Sequence, residues 1–273
     1  MGIDTGTGNH ATLPIVINID VCGLCNESCN YCPRSASYPN KKEYMSVELF
    51  SKFINDCKDY RGVICFTGRG ENSLHPNFKE LVEILHFTGR KYKTRILTNG
   101  YKLKEKFEWF NMFDSLVINS YASKEQMEER KKLMPRAIHR YWDQSMKPEE
   151  WGETPVQVQN RTELYERIAT DRSEINTPCT FPASKGWIHH DGTIQLCCND
   201  WTDTNIFGNI ATDNFFDVFW KNEELQKLKQ ELLDGNRRAN PICTNCNRKL
   251  NKQELRSRLY YLNPKAVKRE WND

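Results

Sequence analysis

Apolar positions along the first two thirds of the chain switch repeatedly between a period of two and a period near 3.6. Over residues 13–20, Ile15, Ile17 and Ile19 share one side of an extended segment, which predicts a strand. Ser46 then stands as an N-cap before Leu49, Phe50, Phe53, Ile54 and Cys57, one face of a helix. Residues 63–67 form a short apolar run that ends in Gly68-Arg69-Gly70-Glu71. Asn77 and Glu80 read as a reciprocal cap for a helix carrying Phe78, Leu81, Val82, Ile84 and Leu85.

The alternation continues with a strand at 94–98 closed by Asn99-Gly100, a helix at 102–113, a strand at 116–119 and a charged helix at 124–134. Residues 134–153 hold Pro135, Pro148, Trp142 and Trp151 and break the pattern, so they read as an insertion over the sheet's mouth. A fifth strand follows at 156–159 and ends at Asn160-Arg161. Strands alternating with helices in this way predict parallel βαβ units, hence an open or closed α/β barrel. Chemistry in such barrels sits beyond the C-terminal ends of the strands.

From Cys179 onward the pattern changes. Residues 187–190 and 193–197 are two short strands joined by Asp191-Gly192, a strong hairpin signal, and a single helix is expected over 214–233.

The eleven cysteines fall into two groups, Cys22, Cys25, Cys29 and Cys32 in front and Cys179, Cys197, Cys198, Cys243 and Cys246 behind, with Cys57 and Cys65 as small core residues. No secretion signal precedes them, which favours metal over disulfides. Cys25, Cys29 and Cys32 form CxxxCxxC on one short loop. A 4Fe-4S cube held by three thiolates keeps one iron open to a small chelating molecule. Cys22 lies a CxxC step before Cys25, so a four-thiolate zinc knot competes for the same loop. In the rear group the adjacent Cys197 and Cys198 point to opposite faces of a strand, so at most one of them easily shares a ligand shell with Cys179, and Cys197 is the one chosen. A zinc ribbon on Cys179, Cys197, Cys243 and Cys246 is a competing reading of this part of the chain.

The front loop resembles the signature of the radical S-adenosylmethionine (SAM) superfamily. That resemblance implies a partial (β/α)6 TIM-like barrel whose open iron binds the amino and carboxylate groups of SAM, with Tyr31 near the adenine and Pro33 in its usual place. Gly68, Gly70 and Glu71 are similar to the family's GGE motif, which implies glycines that let backbone approach the cofactor's ammonium group and a countercharge on Glu71. Asn72 stands where many members have proline. Thr98-Asn99-Gly100 is similar to the family's TNG, and Asn99 and Ser120 are expected to face the ribose or methionine part. A local turn for Asn99 and a helix cap for Ser120 compete with those roles.

Gly192-x4-Cys197 and the four rear cysteines resemble the SPASM and Twitch auxiliary-cluster domains, small α+β units that follow the barrel. Full ligation by Cys179, Cys197, Cys243 and Cys246 suits an auxiliary 4Fe-4S cluster that carries an electron, which points to oxidation. The layout is most similar to Twitch-bearing aminocyclitol dehydrogenases. It implies reductive cleavage of SAM to a 5′-deoxyadenosyl radical, hydrogen abstraction from a small-molecule substrate and conversion of an alcohol to a ketone. Flavodoxin or ferredoxin is the implied electron donor, and Arg161 is the candidate catalytic residue that anchors the hydroxyl. Peptide modification by thioether formation or epimerisation is the rival chemistry, and a non-catalytic zinc-binding scaffold the rival of another class. The expected division is 1–12 as an extension, 13–172 as the barrel, 173–250 as the auxiliary domain and 251–273 as a C-terminal helix and tail.

Charge narrows the partners. The formal net charge of +3 falls to about zero once two clusters and their thiolates are counted, so nucleic acid is not favoured. Basic residues Arg248, Lys249, Lys252, Arg256 and Arg258 could receive an acidic electron donor. No apolar run approaches a membrane span, and the first dozen residues lack a signal-peptide core, which places the expected site of action in the cytoplasm. His75, Tyr121, Trp187, His189, His190 and Trp201 are the further side chains within reach of a site between the two parts.

Overall fold

The computed structural model describes residues 14–29, 32, 34, 40–121, 123–142, 178–244 and 246. Tyr31, Pro33, Arg161 and the strand expected at 156–159 lie outside them. The described strands are β1 (Val16–Ile19), β2 (Val63–Phe66), β3 (Lys93–Thr98), β4 (Ser115–Ser120), β5 (Ile138–Tyr141), β6 (Lys185–Ile188), β7 (Thr193–Gln195) and β8 (Ile206–Asn209). They form one sheet in the order β5-β4-β3-β2-β1-β6-β7-β8. The first six strands pair in parallel, while β7 and β8 add on antiparallel through the Asp191-Gly192 turn. Gly192 takes φ +86°, a left-handed conformation that favours glycine. The sheet therefore runs unbroken from the front strands into the segment that carries the rear cysteines.

Helix α1 (Val47–Asp56) begins at Ser46, whose hydroxyl accepts from the Leu49 amide at 3.1 Å. Its buried Phe50 and Phe53 meet Phe66 of β2 and Phe215 of α6 (Phe215–Lys221) edge to face, at 5.6 and 6.1 Å between ring centroids. One helix thus packs on front and rear portions together. Gly186 of β6 makes room for that junction, since a Cβ there would lie 2.3 Å from the Phe215 ring.

Four expected elements differ. The helix expected at 102–113 is regular only over α3 (Phe107–Met112). Lys102, Lys104, Glu105 and Lys106 give the preceding turn no apolar face, and Leu103 is the one buried residue of 101–106. Asn77 precedes α2 (Phe78–Leu85) without capping it by its side chain, because its amide bonds Glu80 at 3.1 Å instead. The single helix expected at 214–233 is two, α6 and α7 (Glu223–Leu233), broken at Asn222. There the Asn222 side chain accepts from Leu225 N at 2.9 Å and donates to Phe207 O at 3.1 Å, a tertiary bond that selects a break over a continuous helix. Finally, β5 lies inside the stretch read as an irregular insertion. It is an edge strand with no fully buried residue, so it carries no hydrophobic period, and its register is set by pairing with β4, Val117 opposite Ile138. The helix expected at 124–134 is α4 (Lys124–Leu133), which buries none of its residues, and the short α5 (Phe181–Ser184) leads into β6.

Candidate active site with two cysteine centres

At the C-terminal ends of β1 to β4 a cavity of about 210 Å³ opens, lined by Cys25, Cys29, Cys32, Arg34, Gly68, Arg69, Gly70, Glu71, Thr98, Asn99, Asn119 and Tyr121 among others. All three cysteines of the CxxxCxxC loop reach it. Cys22 does not line it: its side chain is fully buried and donates to the Leu24 carbonyl at 3.5 Å. Burial pushes the Cys25 thiol up to about 12, so taking up iron as a thiolate releases a proton.

Backbone contacts between the loop and the GRGE segment hold this geometry. Glu71 N donates to Leu24 O at 2.8 Å, and Asn72 Oδ1 accepts from Val21 N at 2.8 Å. Asn72 therefore ties the start of the cysteine loop, a task that proline in its place could not perform. The glycines also serve the packing of the loop. A Cβ on Gly70 would sit 1.8 Å from Cys22 O, and one on Gly68 would sit 2.2 Å from Asp20 Cβ.

Glu71 is buried and its carboxylate gathers four donors. Ser73 N, Ser73 Oγ and Thr98 Oγ1 bond Oε1 at 3.1, 2.6 and 2.7 Å, and Asn99 N bonds Oε2 at 2.7 Å. Among the described residues no cation forms an ion pair with it, and Arg130 and Lys106 act on it only at longer range. Asn99 also directs its amide to Cys25 Sγ at 3.8 Å and Asn26 Oδ1 at 2.9 Å. Ser120 is not part of the lining: it is fully buried, and its hydroxyl accepts from Arg130 at 2.9 Å. Its neighbours Asn119 and Tyr121 line the cavity, as the alternation of a strand requires.

Cys179, Cys197, Cys243 and Cys246 are all buried in the rear segment. Burial raises the Cys243 thiol to about 12, and proximity to Cys179 and Cys246 adds to the rise; Cys243 and Cys246 likewise act on Cys197. Among the described residues no three His, Cys, Asp or Glu side chains are grouped to hold a single metal ion. Cys198 donates to Asn199 Oδ1 at 3.8 Å.

Arg69, the second residue of the GRGE segment, joins the two centres. Its own amide donates to Asp20 Oδ2 at 2.8 Å. The guanidinium crosses to the loop after Cys197, donating to Asp200 O at 2.7 Å and to the Asp203 carboxylate at 2.5 and 3.0 Å, with its carbon 5.4 Å above the Trp201 ring. Gln195 supports Asp203 at 2.7 Å and receives His189, whose protonation burial disfavours. Nothing in the linear spacing of residues 69 and 203 signals this pair. His75 bonds Met45 O at 2.9 Å and Asn77 N at 3.0 Å, and His190 bonds Glu43 at 3.0 Å, so both have local structural partners.

Residues 19–134 match the Radical SAM superfamily, and residues 179–247 match SPASM, an iron-sulfur cluster-binding domain. The chain is similar to an S-adenosyl-L-methionine-dependent 2-deoxy-scyllo-inosamine dehydrogenase of Niallia circulans, 24% identical over 234 residues that cover 85% of this chain and 92% of that protein. It is 29% identical over 118 residues to the subtilosin biosynthesis protein AlbA of Bacillus subtilis, covering 42% of this chain and 25% of that one. The crystal structure of BtrN with AdoMet and 2-DOIA shares the fold, with a TM-score of 0.72 at 20% identity over 87% of this chain and 94% of that one. Among the described residues no helix is long and apolar enough to cross a membrane.

Proposed function

We propose that the chain, whose residues 19–134 match the Radical SAM superfamily and 179–247 the SPASM iron-sulfur cluster-binding domain, is a radical SAM dehydrogenase that oxidises a hydroxyl-bearing carbon of a small polyol or aminocyclitol to a ketone. Cys25, Cys29 and Cys32 hold a SAM-binding 4Fe-4S cluster, and Cys179, Cys197, Cys243 and Cys246 hold a saturated one. The observation that carries this reading is the difference between the two sets: the three front thiols line a cavity, while Cys179, Cys197, Cys243 and Cys246 are each buried and are not part of its lining. Bound at these positions, the groups supply a carbon-centred radical able to take a hydrogen atom and an acceptor for the electron left behind.

The donor sets suit those groups, since thiolates are the usual ligands of iron-sulfur clusters. Glu71 offers a buried carboxylate at the cavity wall that a ligand ammonium group would pair. Thr98 and Asn99 fix that carboxylate, and Asn119, Tyr121 and Arg34 supply polar walls to the same cavity. Arg161 remains the proposed anchor for the substrate hydroxyl, Tyr31 the proposed neighbour of the adenine, and a flavodoxin or ferredoxin in the cytoplasm the proposed electron donor. Sequence coverage supports the dehydrogenase over peptide modification: the dehydrogenase match spans most of both chains, the subtilosin protein match a quarter of that protein.

The test is anaerobic reconstitution followed by incubation with SAM, a reductant and 2-deoxy-scyllo-inosamine or related polyols. Ketone and 5′-deoxyadenosine should form in equal amounts. If no polyol accelerates 5′-deoxyadenosine formation while a peptide does, the peptide reading replaces this one.

A further inference from the structure

We propose that Asn199 raises the reduction potential of the rear centre, and that the Cys198 thiol, outside the ligand set, holds Asn199 in the orientation this requires. The inference rests on the assignment of an iron-sulfur cluster to Cys179, Cys197, Cys243 and Cys246.

Asn199 is 3% exposed and faces two of those sulfurs at once. Its side-chain Nδ2 donates to Cys246 Sγ at 3.2 Å, and its backbone N–H donates to Cys197 Sγ at 3.5 Å. A carboxamide can turn its oxygen or its nitrogen toward a neighbour, and an oxygen facing a thiolate would be repelled. Cys198 settles the choice, because its thiol donates to Oδ1 at 3.8 Å and leaves the N–H side for Cys246. Cys198 thereby has a use that its exclusion from the ligand set leaves open.

The surrounding loop keeps the arrangement in place. The Asp200 carboxylate accepts from Thr204 N at 3.2 Å, Asn205 N at 2.8 Å and Asn205 Nδ2 at 3.0 Å. Arg69 holds the carbonyl of Asp200 and the carboxylate of Asp203 from the other side. Asn199 is thus fixed before any electron arrives.

An N–H directed at a ligating sulfur withdraws negative charge from it, and the reduced cluster carries one more negative charge than the oxidised one. Donation therefore favours the reduced state and raises the potential. The front loop also receives donors, the Asn99 amide at 3.8 Å from Cys25 Sγ and the Glu27 backbone N–H on the same sulfur. A raised potential suits the rear centre to accept the substrate's electron.

The experiment is a potentiometric titration of the reconstituted holoprotein with dithionite, followed by electron paramagnetic resonance. Added SAM shifts the signal of the open front cluster, and the signal it leaves unmoved belongs to the rear one. Asn199→Leu should make the rear midpoint more negative by at least the equivalent of tenfold in the reduction equilibrium, about 59 mV for a one-electron couple. Asn199→Asp, which loses the donor and adds charge, should go further. Cys198→Ala should shift it the same way by less, and Cys198→Ser, which keeps a donor, should restore it. An unchanged midpoint in Asn199→Leu with roughly eight irons per chain overturns the inference and leaves the cluster assignment standing. If that variant loses its rear iron, the Cys198 pair decides, and equal midpoints for Ala and Ser overturn the inference. Wild-type protein with only about four irons and no SAM-insensitive signal overturns the inference together with the assignment beneath it.

Discussion

Gly70 shows what a single position can decide. A methyl group there would meet the Cys22 and Leu24 carbonyls at 1.8 and 2.8 Å, so Gly70→Ala has to displace the cysteine loop. We expect iron to fall from about eight to about four per chain on reconstitution, with the rear centre retained. Lys229 gives a second prediction. Its ammonium is buried above the Phe219 ring and bonds the Phe219 carbonyl at 2.5 Å, and burial draws its pKa down to about 7. An unfolded lysine keeps its proton up to about pH 10. Between pH 7 and 10 the unfolded chain thus binds more protons, and stability rises with pH through that window. Below pH 7 the full cost of the buried charge is present. Lys229→Met should therefore gain on the order of 1 to 3 kcal/mol at pH 6.5, a gain that shrinks toward pH 10, as melting curves at the two pH values will show. At this scale the cysteines were legible because three thiols at fixed spacing have few other uses. The reason for the glycines was not, since it depends on a carbonyl nearly fifty residues away.

Among elements, those with strong apolar periodicity were legible to within a residue or two at most ends, α1 and β2 to β4 among them. Ser46 caps α1 as its type and position suggest, and Ser46→Ala should cost about 1 kcal/mol, measured by denaturant unfolding. The elements that escaped sequence reading have their causes elsewhere in the chain. Asn222 ends α6 because Phe207 of β8 offers it a carbonyl, and β5 exists because β4 presents an open edge. Neither partner is visible in the local pattern.

Across the whole molecule, Arg69 links the cavity to the rear loop through Asp203. Asp203→Asn keeps the side chain's shape and removes its charge. Both centres should keep their iron in that variant, while the ratio of 5′-deoxyadenosine to ketone climbs several-fold because the two sites are no longer held in register. Equal ratios in variant and wild type would remove Arg69 from any coupling role. The two parts of the chain were legible as parts from their cysteine grouping. Their union in one sheet was not, because β6 announces itself only as half of a hairpin, and its parallel pairing with β1 is a long-range event.

That pairing has a consequence for biogenesis. Asn18 reaches Gly186 across 168 positions of sequence, so the first strand emerges from the ribosome with one edge bare and keeps it bare until most of the chain has been made. The CxxxCxxC loop grows directly from that strand. A nascent chain stalled before residue 188 would leave the cysteine loop beside an unprotected strand edge.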